Sequence, residues 1–333
     1  MAEDFIGPET YPVPISQEEE MSKRALLVGI NQFQGRPEWL LRGCVNDARA
    51  MSELLKQFYG FQSDEIYTAF DSDASGEGIR AGLAWLFSGY DGDGKDVRLF
   101  HIASHGTQVT ANDEKDEEED RLDEVIVPFD HDWSRPFTDD QLRETFTAIP
   151  EGVNFTFIAD CCHSGSIDKD LLPAEFDVRP RRVEPPAAMQ ARIQALTDAR
   201  FSAEAQEIEA RYSQALTGLT FAERRVKERG LREQIKALLF AERKKKMVGS
   251  ERHVLLAACE DVQTAADAFI EGSYRGAFTW SLGKAITESN GNITYGDLHG
   301  LSAKALKAGG YSQNPQLACN DARRGLRFLN SLA

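Results

Sequence analysis

The sequence has few cysteines, no long apolar run and no excess of positive charge, and each of these shortages excludes a class of protein. No run approaches the roughly 18 apolar residues that a membrane-spanning helix needs. Five scattered cysteines do not make a disulfide framework, and no C-x-x-C pair is present. A net charge of −16 argues against nucleic acid as the main partner, because phosphate binding needs a basic face.

The first 20 residues also lack the features of a secretory signal. They carry acids and prolines, whereas such a signal has a basic end followed by an apolar stretch. The remaining composition, with 41% hydrophobic residues in 333, is that of an ordinary globular protein. We therefore expect a cytoplasmic monomer with reduced thiols and no membrane partner.

Short apolar runs alternate with helical patterns through most of the chain. The run RALLVGI (24–30) predicts a buried strand, and a helical spacing of apolar residues follows it and ends at Gly60. Further strands are predicted at 65–70, 96–106, 153–162 and 253–261, with an extended piece at 123–130. Helices are predicted at 78–87, at 138–149 with Thr138 as the cap, at 277–286 and at 295–307. This alternation predicts an α/β fold with a mostly parallel central sheet flanked by helices.

Residues 176–250 interrupt the alternation. They hold 16 Lys/Arg against 10 Asp/Glu, and their apolar residues have helical spacing, which predicts two or three amphipathic helices. We therefore predict an N-terminal extension (1–22) and one α/β domain made of 23–175 and 251–333, with 176–250 as a basic helical insertion.

Two chemically active side chains follow predicted strands, at the edge of the sheet where ligands bind in such folds. His105 precedes Gly106, and Cys162 comes 57 residues later. An imidazole can take the proton of a thiol, which makes the sulfur a nucleophile. From the residues alone, a buried structural cysteine remains the commoner interpretation. A zinc site at Cys161, Cys162 and His163 is less favoured, because adjacent side chains on an extended chain point to opposite faces.

Eight motifs together resemble those of the metacaspases, the caspase-like cysteine peptidases, and occur in the same order. They are KRALLVGI (23–30), LRGCVNDA (41–48), HGTQ (105–108), DEVIVPFD (123–130), DCCHSGS (160–166), LLAACEDVQTAAD (255–267), GAFTWSL (276–282) and NPQL (314–317). The resemblance spans roughly residues 23–317 apart from the insertion. It implies a caspase–hemoglobinase fold, with a large-subunit-like part before the insertion and a small-subunit-like part after it.

The resemblance also implies roles for single residues. His105 matches the catalytic base and Cys162 the nucleophile, while Cys161 packs inward. The backbone amides of Gly106 and Cys162 would form the oxyanion hole, where fixed donors stabilise the tetrahedral intermediate. No cofactor is required for this chemistry.

The residues that match the substrate pocket for P1, the residue before the cleaved bond, are Cys44, Asp47 and Asp160. Two carboxylates in a narrow pocket favour a cation, so we expect cleavage after Arg or Lys in protein substrates. One departure concerns Ala103, which stands where many members have a serine, so that Ser104 is displaced by one position.

Calcium is a further expectation. Many metacaspases need this ion, and Asp120, Asp139 and Asp140 resemble their metal-binding aspartates. Asp120 lies in an acidic run (112–124), and such runs are otherwise solvated loops. We predict activation by calcium through these three residues.

The insertion lies where caspase relatives are cut during maturation. We hypothesise that it covers the active-site face in a zymogen, and that cleavage by the enzyme itself or by an upstream protease opens the pocket. Candidate sites are RPRRV (179–183), AERRVKERG (222–230) and ERKKK (242–246). Two alternatives stay open: a charged helical hairpin that docks partners, and a catalytically silent scaffold. A role in stress response, cell death or prokaryotic defence follows by family analogy alone.

Overall fold

The computed structural model describes residues 22–89, 94–110, 122–162, 178–196, 252–259 and 263–332. Its strands are β1 (Lys23–Gly29), β2 (Ile66–Phe70), β3 (Val97–Ala103), β4 (Gly106–Thr110), β5 (Leu122–Ile126), β6 (Phe137–Thr138), β7 (Asn154–Asp160), β8 (Arg179–Pro180), β9 (Val254–Ala257), β10 (Ala266–Ile270), β11 (Ser273–Gly276) and β12 (Gln316–Ala318). Its α-helices include α1 (Cys44–Tyr59), α2 (Gly76–Leu86), α3 (Asp139–Thr147), α4 (Ala277–Glu288), α5 (Tyr295–Ala308) and α6 (Asp321–Arg324). Residues 187–196 are helical as well.

A six-stranded sheet in the order β12-β9-β7-β3-β1-β2 forms the centre of the fold. Strands β1, β2, β3, β7 and β9 pair in parallel, and β12 is antiparallel to β9. Parallel strands need long crossovers, which put helices on both faces and explain why the strands are nearly continuous apolar runs. The prediction of an α/β fold with a mostly parallel central sheet is confirmed.

The two faces of this sheet carry two separate apolar clusters. Along β7, Phe155 and Phe157 belong to the cluster that includes residues of α2 and α3, whereas Ile158 belongs to the cluster with α1, α4 and α5. Phe157 stacks on Phe100 of β3 with ring centroids 4.9 Å apart. Because β7 is covered on both faces, Asp160 at its carboxyl end is fully buried.

Strands from both sides of the insertion share the central sheet, since β9 pairs with β7. Two smaller sheets of three strands, β11-β10-β8 and β4-β5-β6, lie beside it. The extended piece predicted at 123–130 overlaps β5, but the sequence did not predict β4, β6, β8, β10, β11 or β12. These strands are short, and hairpins of this kind show little of the apolar periodicity that marks a buried strand.

Two helix predictions can be compared in detail. Helix α3 begins at Asp139 with Thr138 at the N-cap position, as predicted, although the Thr138 side chain makes no capping hydrogen bond. In the insertion, helix is described at 187–196, and the other predicted helices lie outside the described residues. In the described part of the chain, no helix combines the length and the apolar composition that crossing a bilayer requires.

Candidate active site

The parallel register of the sheet brings the two predicted catalytic segments to one edge. Ala103, the last residue of β3, pairs with Asp160, the last residue of β7. His105 and Cys162 each come two residues later, and both are buried. The side chains singled out as base and nucleophile therefore leave adjacent strand ends, where α/β sheets bind their ligands.

The His105 ring is held by a backbone carbonyl. Its Nε2 lies 2.7 Å from the Trp39 oxygen, and its ring centroid lies 5.0 Å from that of Phe33. A carbonyl can only accept, so Nε2 carries the proton of the neutral ring and Nδ1 is left as the basic nitrogen. Burial lowers the pKa of His105 to about 4, against the raising effect of the Trp39 carbonyl. The imidazole is therefore neutral at pH 7 and able to accept a proton.

The Cys162 sulfur lies in a narrow, largely apolar environment. Its Sγ is 2.7 Å from the Cys259 Sγ and accepts a hydrogen bond from the Ala265 N–H. Within the described residues no hydrogen bond joins this Sγ to His105, so proton transfer requires the two side chains to come closer together than they are here. Cys161 is buried in the apolar cluster on the opposite face of the sheet, which agrees with its predicted packing role.

Beside the dyad, three buried carboxylates surround one arginine of the same chain. The Arg181 guanidinium lies 2.5 Å from Asp47, 3.1 Å from Asp160 and 3.0 Å from Asp267, and all four side chains are at most 1% exposed. Two of these carboxylates, Asp47 and Asp160, are the ones predicted for the P1 pocket. An arginine from the insertion fills the place in which the sequence predicted a basic substrate residue.

Each carboxylate is fixed by donors other than the arginine. Both oxygens of Asp47 accept the Gly276 N–H at 2.9 Å. Asp160 accepts the Thr279 N–H at 2.9 Å and the Thr279 hydroxyl at 2.6 Å. Asp267 accepts two backbone N–H groups at the start of α1, those of residues 42 and 43. The protein itself therefore holds the three carboxylates in position for binding a cation.

Burial changes the titration of the groups in this cluster. It raises the pKa of Asp47, although the charge of Arg181 acts in the opposite direction. The pKa of Arg181 is raised well above its usual value by the surrounding carboxylates, which outweigh its burial. Burial likewise raises the pKa of Cys44, so this predicted pocket residue is a neutral thiol. The arginine is therefore charged at neutral pH.

The main chain of Arg181 is docked as well as its side chain. Its carbonyl oxygen accepts the Gly106 N–H at 3.0 Å and the Cys162 N–H at 3.2 Å, the two donors predicted for the oxyanion hole. Its own N–H donates to the Ala265 oxygen at 3.0 Å. The carbonyl of a peptide bond thus lies between the two amides, next to the residue predicted as the nucleophile.

The residues before Arg181 extend this docking along β10. Strand β8 pairs with β10 in antiparallel fashion, with Pro180 opposite Ala266. Hydrogen-bonded and non-bonded pairs alternate in such a ladder, so the missing N–H of Pro180 costs no hydrogen bond. Arg179 reaches across to donate to the Leu40 oxygen at 2.6 Å.

Sequence reasoning missed Asp267, Gly276 and Thr279. Asp267 ends the motif LLAACEDVQTAAD and Gly276 begins GAFTWSL, so both stood in quoted motifs without an assigned role. A Cβ at Gly276 would collide with the Asp160 carboxylate and the Arg181 guanidinium, which explains why a glycine is needed there. Ser104, which lies one position from the serine of many family members, is buried and its hydroxyl donates to the Val127 carbonyl at 2.7 Å.

Thr279 and His101 hold the Asp160 side chain in place through hydrogen bonds. The Thr279 hydroxyl donates to Asp160, so its oxygen is free to accept from His101, whose Nε2 lies 3.1 Å away. Burial, followed by the charge of Arg181, lowers the pKa of His101 to about 3. The neutral imidazole, the hydroxyl and the carboxylate form a chain of hydrogen bonds that ends on the arginine.

Two of the three predicted calcium ligands lie in the described part of the chain. Asp139 accepts the Glu124 N–H at 3.0 Å, and Asp140 pairs with Arg143. Asp120 lies outside the described residues. No group of three His, Cys, Asp or Glu side chains suited to a metal occurs among the described residues, so calcium binding stays a prediction.

Comparison with known proteins gives the class of this fold and site. Residues 22–326 match the family described as Caspase domain. The chain is 28% identical to metacaspase-9 of Arabidopsis thaliana, over 95% of this chain and 99% of the relative. It is 31% identical to metacaspase-1 of Scheffersomyces stipitis, over 90% of this chain and 70% of the relative. A crystal structure of a Geobacter sulfurreducens protein, 20% identical, shares the fold with a TM-score of 0.57 over 94% of this chain and 100% of that protein.

The chain therefore belongs to the caspase-domain peptidases and is a metacaspase-like member of that family. It is a cysteine peptidase, and its substrates are proteins. The predicted resemblance to metacaspases is confirmed.

The buried His101 makes stability depend on pH in a testable way. Its pKa is about 6.5 in the unfolded chain and about 3 in the folded one, so between these values the unfolded chain holds one more proton and stability rises with pH. In a Cys162→Ala background, His101→Gln should lower the slope of unfolding free energy against pH by about 1.4 kcal/mol per pH unit near pH 5. Urea denaturation between pH 4.5 and 6 measures it.

Thr279→Ser is the matched control, because it keeps the hydroxyl and changes no titrating group. A slope that is the same in the parent and in His101→Gln would contradict the assigned pKa of His101.

Proposed function

We propose that this chain is an endopeptidase that cleaves after arginine, and after lysine more slowly, with Cys162 as nucleophile and His105 as base. The observation that carries the proposal is the docking of Arg181, with its guanidinium among three carboxylates and its carbonyl oxygen between the Gly106 and Cys162 amides. A guanidinium offers two nitrogens to the carboxylates, whereas an ammonium offers one. An acidic P1 side chain would be repelled.

The reaction follows from this geometry in two halves. The Cys162 thiol gives its proton to His105 Nδ1 and the sulfur attacks the P1 carbonyl carbon, whose oxygen takes negative charge between the Gly106 and Cys162 amides. The carbon–nitrogen bond breaks as His105 returns the proton to the leaving amine. A water then gives a proton to His105 and attacks the thioester, which releases the acid and restores the thiol.

The first substrate in this proposal is the chain itself. The bond between Arg181 and Arg182 lies at the docked carbonyl, and no other segment can enter the pocket while Arg181 fills it. Self-cleavage there would convert a blocked precursor into a peptidase that acts on other proteins. Among the three basic stretches considered from the sequence, 179–183 has this support, and the other two, 222–230 and 242–246, lie outside the described residues.

A peptide that copies residues 178–181 tests specificity. Once processed, the enzyme should hydrolyse a fluorogenic amide of Val-Arg-Pro-Arg, and the version with P1 aspartate should react at least about a thousandfold more slowly, because an anion replaces a cation among carboxylates. Asp267→Asn should lower kcat/KM for the arginine peptide by about 10- to 100-fold, the value of one charged hydrogen bond.

Cys162→Ala and His105→Ala should reduce hydrolysis to background in the same assay. Equal rates on arginine and aspartate peptides would disprove the proposed specificity. Background rates in the wild-type enzyme with every peptide would instead favour the silent scaffold.

Self-cleavage is tested by incubating the purified full chain and measuring intact masses. Fragments should end at Arg181 and begin at Arg182, and Cys162→Ala should stay whole unless another protease is added. Arg181→Gln should block cleavage at this bond, because a one-residue slip that places Arg182 at P1 would turn alternate side chains to the wrong face. Arg181→Lys keeps the charge and should be cleaved slowly.

Arg182→Gln is the matched control, since it removes a neighbouring charge and leaves Arg181 in place. Cleavage of Arg181→Gln at the wild-type rate, or of Cys162→Ala without added protease, would rule out this self-processing site.

Calcium activation is a separate proposal, which rests on the ligand set predicted from the sequence, Asp120, Asp139 and Asp140. A chelator should lower the rate of self-cleavage at least about tenfold, and added calcium should restore it whereas magnesium should not, because calcium takes more carboxylate ligands. Asp120→Asn should raise the calcium concentration needed. Full activity in excess chelator would exclude a calcium requirement.

A further inference from the structure

The docked segment continues past the bond proposed for cleavage, and its side chains alternate between inside and outside. Arg181, Val183 and Pro185 are buried, whereas Arg182 is partly exposed and Glu184 is exposed. A period of two is that of an extended strand held against a surface. The contact with the enzyme therefore covers both sides of the scissile bond.

One residue, Gly106, holds the main chain on both sides of this bond. Its N–H donates to the Arg181 oxygen at 3.0 Å, and its oxygen accepts the Val183 N–H at 3.1 Å. This is a parallel bridge in which Gly106 stands opposite Arg182. The amide that would stabilise the oxyanion is thus also the residue that aligns the chain after the cleaved bond.

The Val183 side chain enters the core rather than lying on the surface. It is 4% exposed and belongs to the apolar cluster that also contains Ile126 and Val127, at the end of β5. On the outer side, Arg182 and Glu184 form an ion pair at 3.0 Å. The enzyme thus buries an apolar side chain two residues after the bond and leaves the next one in solvent.

We infer that the active site contains an apolar subsite for P2′, the second residue after the cleaved bond. This inference rests on the proposed function and adds to it the class of substrate that the enzyme prefers. Such substrates are extended segments with arginine at P1 and a medium-sized apolar residue, valine or isoleucine, at P2′. A charged P2′ side chain would lose its hydrating water without gaining a partner. Its displacement from the subsite would also weaken the main-chain hydrogen bond to Gly106.

The first test acts within the chain and measures the rate of self-cleavage after Arg181. Val183→Asp should slow it at least about tenfold, since a buried valine side chain is replaced by a charge. Val183→Ile should cleave within about threefold of the wild-type rate. Glu184→Gln, at the exposed neighbouring position, is the matched control and should cleave at the wild-type rate.

The second test uses separate substrates and the processed enzyme. Internally quenched peptides Val-Arg-Pro-Arg-Arg-X-Glu, with X as valine, isoleucine, alanine or aspartate, are compared by kcat/KM. Valine and isoleucine should exceed aspartate by about 10- to 100-fold, with alanine between them. The fluorogenic Val-Arg-Pro-Arg amide, which has no P2′ residue, reports peptidase activity independently.

The outcomes separate the two proposals. Equal kcat/KM for all four peptides would overturn the P2′ subsite. This would hold even if Val183→Asp slowed self-cleavage, because Val183 would then only anchor its own segment. Hydrolysis of none of these substrates, the fluorogenic amide included, would instead be a failure of the proposed function.

Discussion

The ion cluster around Arg181 is the interaction on which the arrangement of the site depends. Its carboxylates come from the first turn of α1, the end of β7 and strand β10, and Arg181 is 134 residues from Asp47 and 86 from Asp267 in sequence. Removing one member of a buried ion pair costs about 3–5 kcal/mol, because the partner is left charged and without water. The pocket walls and the inserted segment therefore hold one another in place. The same cluster fixes the peptide carbonyl, since side chain and main chain of one residue are docked together.

The sequence contained enough to predict five of the six strands of the central sheet and the strand ends that carry His105 and Cys162. Buried parallel strands are nearly continuous apolar runs, so the strands ending near His105 and Cys162 could be located, and parallel topology brings such ends together. Asp267 could not be assigned in this way, because it lies in a short hairpin strand with no clear periodicity. Its role depends on a fold that places β10 against the first turn of α1, and local patterns carry no information about that contact.

The choice of Arg181 among the basic residues of the insertion was also beyond the sequence. Charge alone ranked three stretches equally, but only geometry shows that Pro180 takes a position where no N–H is needed and that Val183 finds an apolar environment. The calcium ligands implied by the resemblance could not be tested in this way. Asp139 accepts a backbone N–H and Asp140 pairs with Arg143, whereas the third ligand, Asp120, lies outside the described residues.

The cluster also bears on the fate of the docked segment after the proposed self-cleavage. The new C-terminal Arg181 stays tethered, and a short tether keeps its effective concentration on the order of millimolar, so the pocket does not empty through dilution. Hydrolysis, however, separates Arg181 from the stretch anchored by Val183 in the apolar cluster. The segment then keeps its guanidinium contacts and loses the contacts that follow the bond. Cleavage therefore weakens the docking of the segment without any change in the pocket.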